Sequence, residues 1–239
     1  MSAFWVSSLK PACPDTTTLR TFLTVGMRRV MYNPPAFREE RTEVLRDAVR
    51  SHPLATLITS GSAGLIANVL PFNLRMTAQG DVLCAHLAKA NDQLADLKLG
   101  AQALVIFQGP QAYITPSWYP TKKQHGKVVP TWNYVVVQAW GVPKIREDRD
   151  WLFHQLSELT SAHEAKRREP WHVNDAPSDF IEGQIKGIVG LEIPIDRIEG
   201  KWKVSQNQPM ENRMGVAAGL LTDGKQALGA EVKSRANGN

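Results

Sequence analysis

A β-branched run and a valine-rich run, flanking a loop of aromatic and basic residues, constrain this chain more than any other feature. Residues 103–141 read ALVIFQGPQAYITPSWYPTKKQHGKVVPTWNYVVVQAWG. Leu104, Val105, Ile106 and Phe107 have the dense β-branched and aromatic content of a buried strand, broken at Gly109-Pro110. Tyr113 to Thr115 reads as a second, shorter extended piece, and Tyr134 to Ala139 as a third. Between the last two lie Pro116, Trp118, Tyr119, Pro120, Lys122, Lys123, His125, Gly126 and Lys127, followed by Pro130-Thr131-Trp132-Asn133. Rings beside ammonium groups on a loop held by two strands suit a flat, anionic ligand. By composition alone, Trp118, Tyr119 and Trp132 read first as plugs in the mouth of a barrel, since buried aromatics are usually core.

The remainder of the chain alternates short strands with short helices. Residues 1–30 show no strand or helix period and no signal-peptide core, and they read as a flexible leader. Residues 38–51 carry Val44, Leu45, Ala48 and Val49 at amphipathic helical spacing, stopped by His52-Pro53. Residues 54–59 and 65–74 read as a hairpin, the second strand interrupted by Pro71, and 81–86 as a further strand. A short helix is expected over 91–99, closed by Gly100. Residues 150–168 predict a second amphipathic helix and 179–185 a third, with strands at 188–195 and 198–204 and a helix N-cap at Ser205. This order implies an α+β, mainly β chain: an antiparallel split β-barrel with peripheral helices. Residues 214–239 are small, polar and rich in glycine, and read as a partly disordered tail.

Charge and motifs narrow the function. The net charge is +5, yet residues 31–212 hold 20 basic and 20 acidic residues, so the basic excess sits at the two ends. No basic nucleic-acid face follows from composition. Cys13 and Cys84 form neither metal spacing nor a disulfide framework and point to a reducing cytoplasm. No apolar run approaches a membrane span. The sequence lacks a dinucleotide fingerprint, a P-loop and a nucleophile elbow. His163-Glu164 lacks the second histidine of a metalloprotease helix, and His154, His163 and His172, nine apart, fit no standard metal motif. No catalytic or metal-ligating residue is assigned.

The segments MYNPPAF (31–37), HPLATLIT (52–59), IANVLPF (66–72), LCAHLAKAN (83–91), GPQAYITPSWY (109–119), VVPTWNYVVVQAWG (128–141), LTSAHE (159–164), PWHVNDAP (170–177) and IEGKWKVSQN (198–207) occur in one order. In that order the chain resembles the PaiB family of FMN-binding negative transcriptional regulators, over residues 31–213, and is similar in turn to split-barrel flavoproteins. The resemblance implies one FMN-binding domain over 31–213, a homodimer with FMN at the subunit interface, and a DNA operator as partner. Its activity would be repression of sporulation and degradative-enzyme genes; the alternative is an FMN-dependent oxidoreductase or flavin-reductase-like enzyme of the same superfamily. It implies His86, Lys89 and Asn91 near the FMN phosphate, Lys89 standing where the family usually has arginine. Asn68 and Pro71 would line the isoalloxazine face, and Trp118, Lys122, Thr131, Trp132 and Asn133 a dimer-facing rim. Lys201, Ser205 and Gln206 complete the cofactor set. Residue by residue, His86 also reads as a satisfied half-buried histidine, Asn91 as a helix cap and Trp132 as core.

Overall fold

The two long apolar strands form the centre of the molecule. In the computed structural model, which describes residues 31–61 and 64–236, β6 (Ala103–Ile114) and β7 (Thr131–Gly141) pair antiparallel along almost their whole length. Gly109-Pro110 does not end β6. It makes a bulge, the register shifting between Gln108 and Gln111, because proline has no ladder N–H to give. A methyl group at Gly109 would come within 2.9 Å of Val135 Cβ, so glycine permits the close approach. The two extended pieces expected on either side of this dipeptide are therefore one strand.

Outward from this pair, one sheet has the order β1-β10-β7-β6-β2-β3, where β1 is Arg38–Glu39, β2 Leu54–Gly61, β3 Gly64–Pro71 and β10 Arg197–Lys203. A second sheet has the order β4-β5-β9-β8, with β4 Asn73–Thr77, β5 Gly80–Ala88, β8 Lys144–Arg146 and β9 Ile188–Pro194. Every pairing is antiparallel. Alternate residues of both sheets, among them Leu57, Val105, Phe107, Val137, Leu83, Leu191 and Ile193, meet in one buried core. Each contributes roughly 1.5–3 kcal/mol by leaving water. The strand expected over 65–74 is two, since Phe72 turns inward and the chain crosses from one sheet to the other after Pro71.

Helices close the ends and the outer side. In α1 (Thr42–Ser51), Leu45 and Val49 are buried, and Arg46 grips Asp81 at the start of β5 with two bonds of 2.7 and 2.9 Å. α2 (Gln93–Lys98) and α3 (Lys122–His125) are single short turns of helix. α4 (Arg149–Glu164), capped by the Asp148 carboxylate accepting from Trp151 N at 2.7 Å, lies against β5 and β9, with α5 (Ser178–Lys186) beside it.

The C-terminal stretch corrects the sequence reading. Residues 214–236 are not a fraying tail: α6 (Met210–Thr222) and α7 (Gln226–Ala236) bury Val216, Ala217, Leu220, Leu228, Val232 and Ala236 in the same core. The glycines that suggested flexibility are contact points, since side chains at Gly215 and Gly219 would collide with Trp118. The domain therefore runs on from Tyr32 through α7 rather than stopping near residue 213. Ser205 does not cap a helix either. α6 begins after Pro209, and Ser205 instead has φ of 68°, the left-handed region that a residue with a Cβ rarely enters. The expected leader, residues 1–30, lies outside the described residues.

Candidate functional site

The residues singled out from sequence fall into three clusters and a remainder. At the first, β3 and the corner after β5 meet. Asn68 Nδ2 donates to Gln93 Oε1 at 3.0 Å and to Asn91 Oδ1 at 3.4 Å. Gln93, fully buried, donates in turn to Leu57 O, Thr59 Oγ1 and Ile66 O, and Thr59 donates to Asp96. The network fixes the corner with its polar groups satisfied, as burial requires. Asn91 Oδ1 also accepts from Gln93 N, and the N–H groups of Leu94 and Ala95 bond to the carbonyls of Asn91 and Asp92. The start of α2 thus keeps little free backbone N–H for an anion. What it does present is Lys89, exposed, whose ammonium has no bonding partner among the described residues. Pro71, half-buried, lies opposite Leu54 at the end of the same hairpin.

The second cluster is on the outward face of the central pair. Trp132 and Tyr113 stack edge to face with centroids 6.3 Å apart, and both are about half exposed. Trp132, with Tyr134, Ile106 and Val136 and the amides of Gln108, Gln111 and Gln138, borders a groove of about 500 Å³ at the bulge of β6. Lys201 Nζ lies 5.2 and 5.6 Å from the rings of Tyr32 and Tyr134 and donates to Tyr32 O at 2.8 Å, tying the entering chain to β10. The third cluster is a smaller cavity of about 170 Å³ where β7 begins and β10 ends, lined among others by Tyr119, Thr131, Asn133, Lys203 and Ser205.

The other expected site residues have different surroundings. His86 faces α4, where its Nδ1 is 2.9 Å from Gln155 Oε1, and Gln155 passes the chain of bonds to Asn73 at 3.1 Å. Trp118 packs over Gly215 and Gly219 of α6. Gln206 closes its own turn, accepting from Val204 N at 2.7 Å and donating to Trp202 O at 2.5 Å. Lys122 is exposed on α3. Sequence reasoning missed Gln93 and Lys203 as members of these clusters, and it named Tyr119 only as one ring of the aromatic loop. Lys203 had a signal, lying one strand period from Lys201, on the same face as its neighbour.

Two antiparallel sheets around a common core, with an exposed aromatic groove and helices at the rim, define the class: a split-barrel domain of the flavin-binding kind. Solved structures with this fold include a FAD- and heme-binding protein of Mycobacterium smegmatis. It is 18% identical, with a TM-score of 0.53, covering 70% of this chain and 73% of that one. The flavocytochrome Anf3 of Azotobacter vinelandii is 13% identical with a TM-score of 0.50, covering 70% and 69%. At those identities the likeness is one of fold.

Residues 31–197 match the family described as "Putative FMN-binding domain". The "Protease synthase and sporulation protein PAI 2" of Bacillus subtilis is 31% identical over 193 residues, 81% of this chain and 90% of that protein. An uncharacterized protein of Emericella nidulans is 34% identical over 244 residues, 86% and 97% of the two chains. The chain belongs to the PaiB-type FMN-binding family, and FMN is that family's cofactor. Among the described residues no helix is long and apolar enough to cross a membrane.

Proposed function

We propose that the protein is a homodimeric FMN-binding regulator whose flavin lies between two copies of the chain. The observation that carries this is the separation of the first two clusters. Asn68 is on β3, at one margin of the larger sheet, and Trp132 is on β7, three strands away in the order β3-β2-β6-β7. At about 4.8 Å per strand the gap is roughly 14 Å; Asn68 turns to the inner side at the sheet's margin, and the outward face from Val69 to Trp132 lies open. Leu54, Leu65, Val69, Tyr113 and Trp132 on that face are each about half exposed or more. A monomer rarely leaves so much apolar surface together. A two-fold axis through the face sets the Asn68 margin of one copy against the Trp132 groove of the other.

The residues present suit FMN. The groove offers ring area from Trp132 and Tyr134 and amides from Gln108, Gln111 and Gln138 for the polar edge of a flavin. Lys89 supplies a cation without a counter-charge for the phosphate, two residues before Asn91, which bonds Asn68. The bound flavin supplies redox chemistry or a redox-sensitive signal; the chain's part is to bind, orient and shield it.

The regulatory reading rests on the similarity to the Bacillus subtilis protein and on the exposed loop of Lys122, Lys123, His125 and Lys127. Side-chain bonds tie that loop to α6. Thr121 bonds Asn212 at 3.1 Å and Gln124 bonds Glu211 at 3.2 Å. DNA phosphates fit it, with a strongly salt-dependent affinity. The test is an absorbance spectrum and sedimentation run on the purified protein, then gel-shift titrations across salt with candidate operators. A colourless monomer that takes up no FMN overturns the cofactor and dimer reading. Binding without sequence preference at any salt overturns the regulator, and bleaching of the flavin by NADH or NADPH under anaerobic conditions would favour the oxidoreductase instead.

A further inference from the structure

The 170 Å³ cavity at the junction of β7 and β10 is built for a negative charge that the protein does not itself provide. None of its nine lining residues is acidic. Lys203 enters it with an ammonium bonded to Thr131 Oγ1 and to Trp132 O at 2.6 Å, both neutral acceptors, which leaves its third N–H. Lys201, two residues earlier on the same side of the strand, has no carboxylate partner among the described residues; its contacts are a carbonyl and two rings. Burial and then the Lys201 charge push the pKa of Lys203 down. Two neighbouring cations without a counter-ion are a cost that an anion in the cavity would reverse.

The neutral groups point the same way. Tyr119 is only 4% exposed and lines the cavity, yet its hydroxyl has no hydrogen-bond partner among the described residues. The oxygen is not sealed in the core but opens to the cavity, where a ligand or water can accept its hydrogen bond. Ser205 Oγ accepts from Asn133 Nδ2 at 2.8 Å and Thr131 Oγ1 accepts from Lys203, so the O–H of each remains to donate. The left-handed backbone at Ser205, locked by the Gln206 turn, places that hydroxyl at the cavity wall at a conformational cost. One ammonium, one phenol and two hydroxyls converge on a space large enough for a tetrahedral or carboxylate group and too small for a flavin.

We propose that this cavity is a second ligand site, taking the oxyanion group of a small phosphorylated or carboxylated molecule, distinct from the site of the FMN phosphate. Such a ligand would bridge β10 to the loop carrying Tyr119, the loop that presents Lys122 to Lys127. Its occupancy is therefore suited to report a small anion to the basic loop.

The test is calorimetric titration of inorganic phosphate, and separately of acetate, into the full-length protein with and without FMN, against potassium chloride at matched ionic strength. Saturable binding of either anion at one site per chain is expected in both states, with FMN affinity unaltered. Tyr119→Phe keeps the ring and should weaken the anion roughly tenfold, and Lys203→Met should weaken it further. Both variants should keep FMN affinity within about twofold of the parent. Failure of both anions to bind in either state overturns the proposal. So does competition between phosphate and FMN, together with a Lys203→Met loss of affinity for FMN and not for riboflavin, since the cavity would then be the flavin's own phosphate subsite. The inference is separable from the cofactor reading: a protein that takes no FMN but binds phosphate through Lys203 leaves this site standing.

Discussion

Glu39, on the edge strand β1, ties α7 to the larger sheet, and its removal gives the most quantitative test of the fold. The side chain is 3% exposed. Arg41 holds it with bonds of 3.0 Å from Nε and 2.8 Å from NH2, and Arg235 of α7 pairs with it from the other side. Arg235 also lies 5.2 Å from the Trp202 ring, whose Nε1 donates to Glu231 at 3.0 Å. Burial by itself would raise the carboxyl, but the hydrogen bonds from Arg41 and Arg235 outweigh it and hold the group at about 2 instead of 4.5. At about 1.4 kcal/mol per pH unit, this difference is worth about 3 kcal/mol. Because the folded value is the lower one, the stabilisation is complete above pH 4.5 and is lost as pH falls towards 2. Glu39→Gln should therefore cost about 3 kcal/mol at neutral pH, roughly 10 °C in melting temperature for a chain of this size. The penalty should shrink as parent and variant are compared at lower pH, because below pH 4.5 the carboxyl of the unfolded parent takes up a proton that the folded one still refuses. Thermal melts at several pH values between 7 and 3 supply the measurement. A Glu39→Gln, Arg235→Met pair should recover part of the loss, since the single change leaves a cation nearly buried without its partner. Parallel stability curves for parent and variant across that range would refute the reasoning.

Further expectations concern the other elements. Gly219→Leu drives a side chain into the Trp118 ring and should destabilise by about 1–3 kcal/mol, read in denaturant melts. A chain ended after Thr222 loses Leu228 and Val232 from the core and should be destabilised by roughly 3–6 kcal/mol, where a disordered tail would cost nothing. Val69→Lys on the outward face of β3 should halve the mass found by sedimentation and release FMN while leaving the melting of the protomer nearly unchanged. Cys84 is fully buried, and burial pushes its thiol up to about 11, so mass mapping after iodoacetamide at pH 7.5 should find it unmodified in the folded protein.

The parts of the fold that were legible in the sequence are those where period and composition agree. Leu45 and Val49 sit one helical turn apart on α1, and Val135, Val137 and Ala139 alternate along β7; each pattern specifies both the element and its buried face. Legibility fails where a small residue has two meanings. Glycine in α6 suggests a fraying chain by composition, but it is also what lets Trp118 lie against a helix, and only the partner's position decides between them. Proline likewise suggested the end of a strand at Gly109-Pro110, whereas the long β7 ladder on both sides carries β6 through as a bulge.

The same limit governs the candidate site, for a reason of chemistry rather than pattern. His86 and Lys89 are three residues apart, and sequence groups them naturally, yet a side chain on β5 is committed to one face of the sheet. His86 is drawn to α4 because Gln155 offers an acceptor 2.9 Å from its Nδ1, and Lys89, past the strand's end, is free of that constraint. Lys201 and Lys203 show the converse. They lie on the same face, two residues apart, but the first is held by rings and a carbonyl and the second faces a cavity with unspent donors. Spacing tells which residues share a face; what each side chain does depends on which partners are already satisfied. A ligand site is where satisfaction stops, so the uncompensated charge at Lys203 and the hydroxyl that Tyr119 opens to the cavity carry more weight than any spacing in the chain.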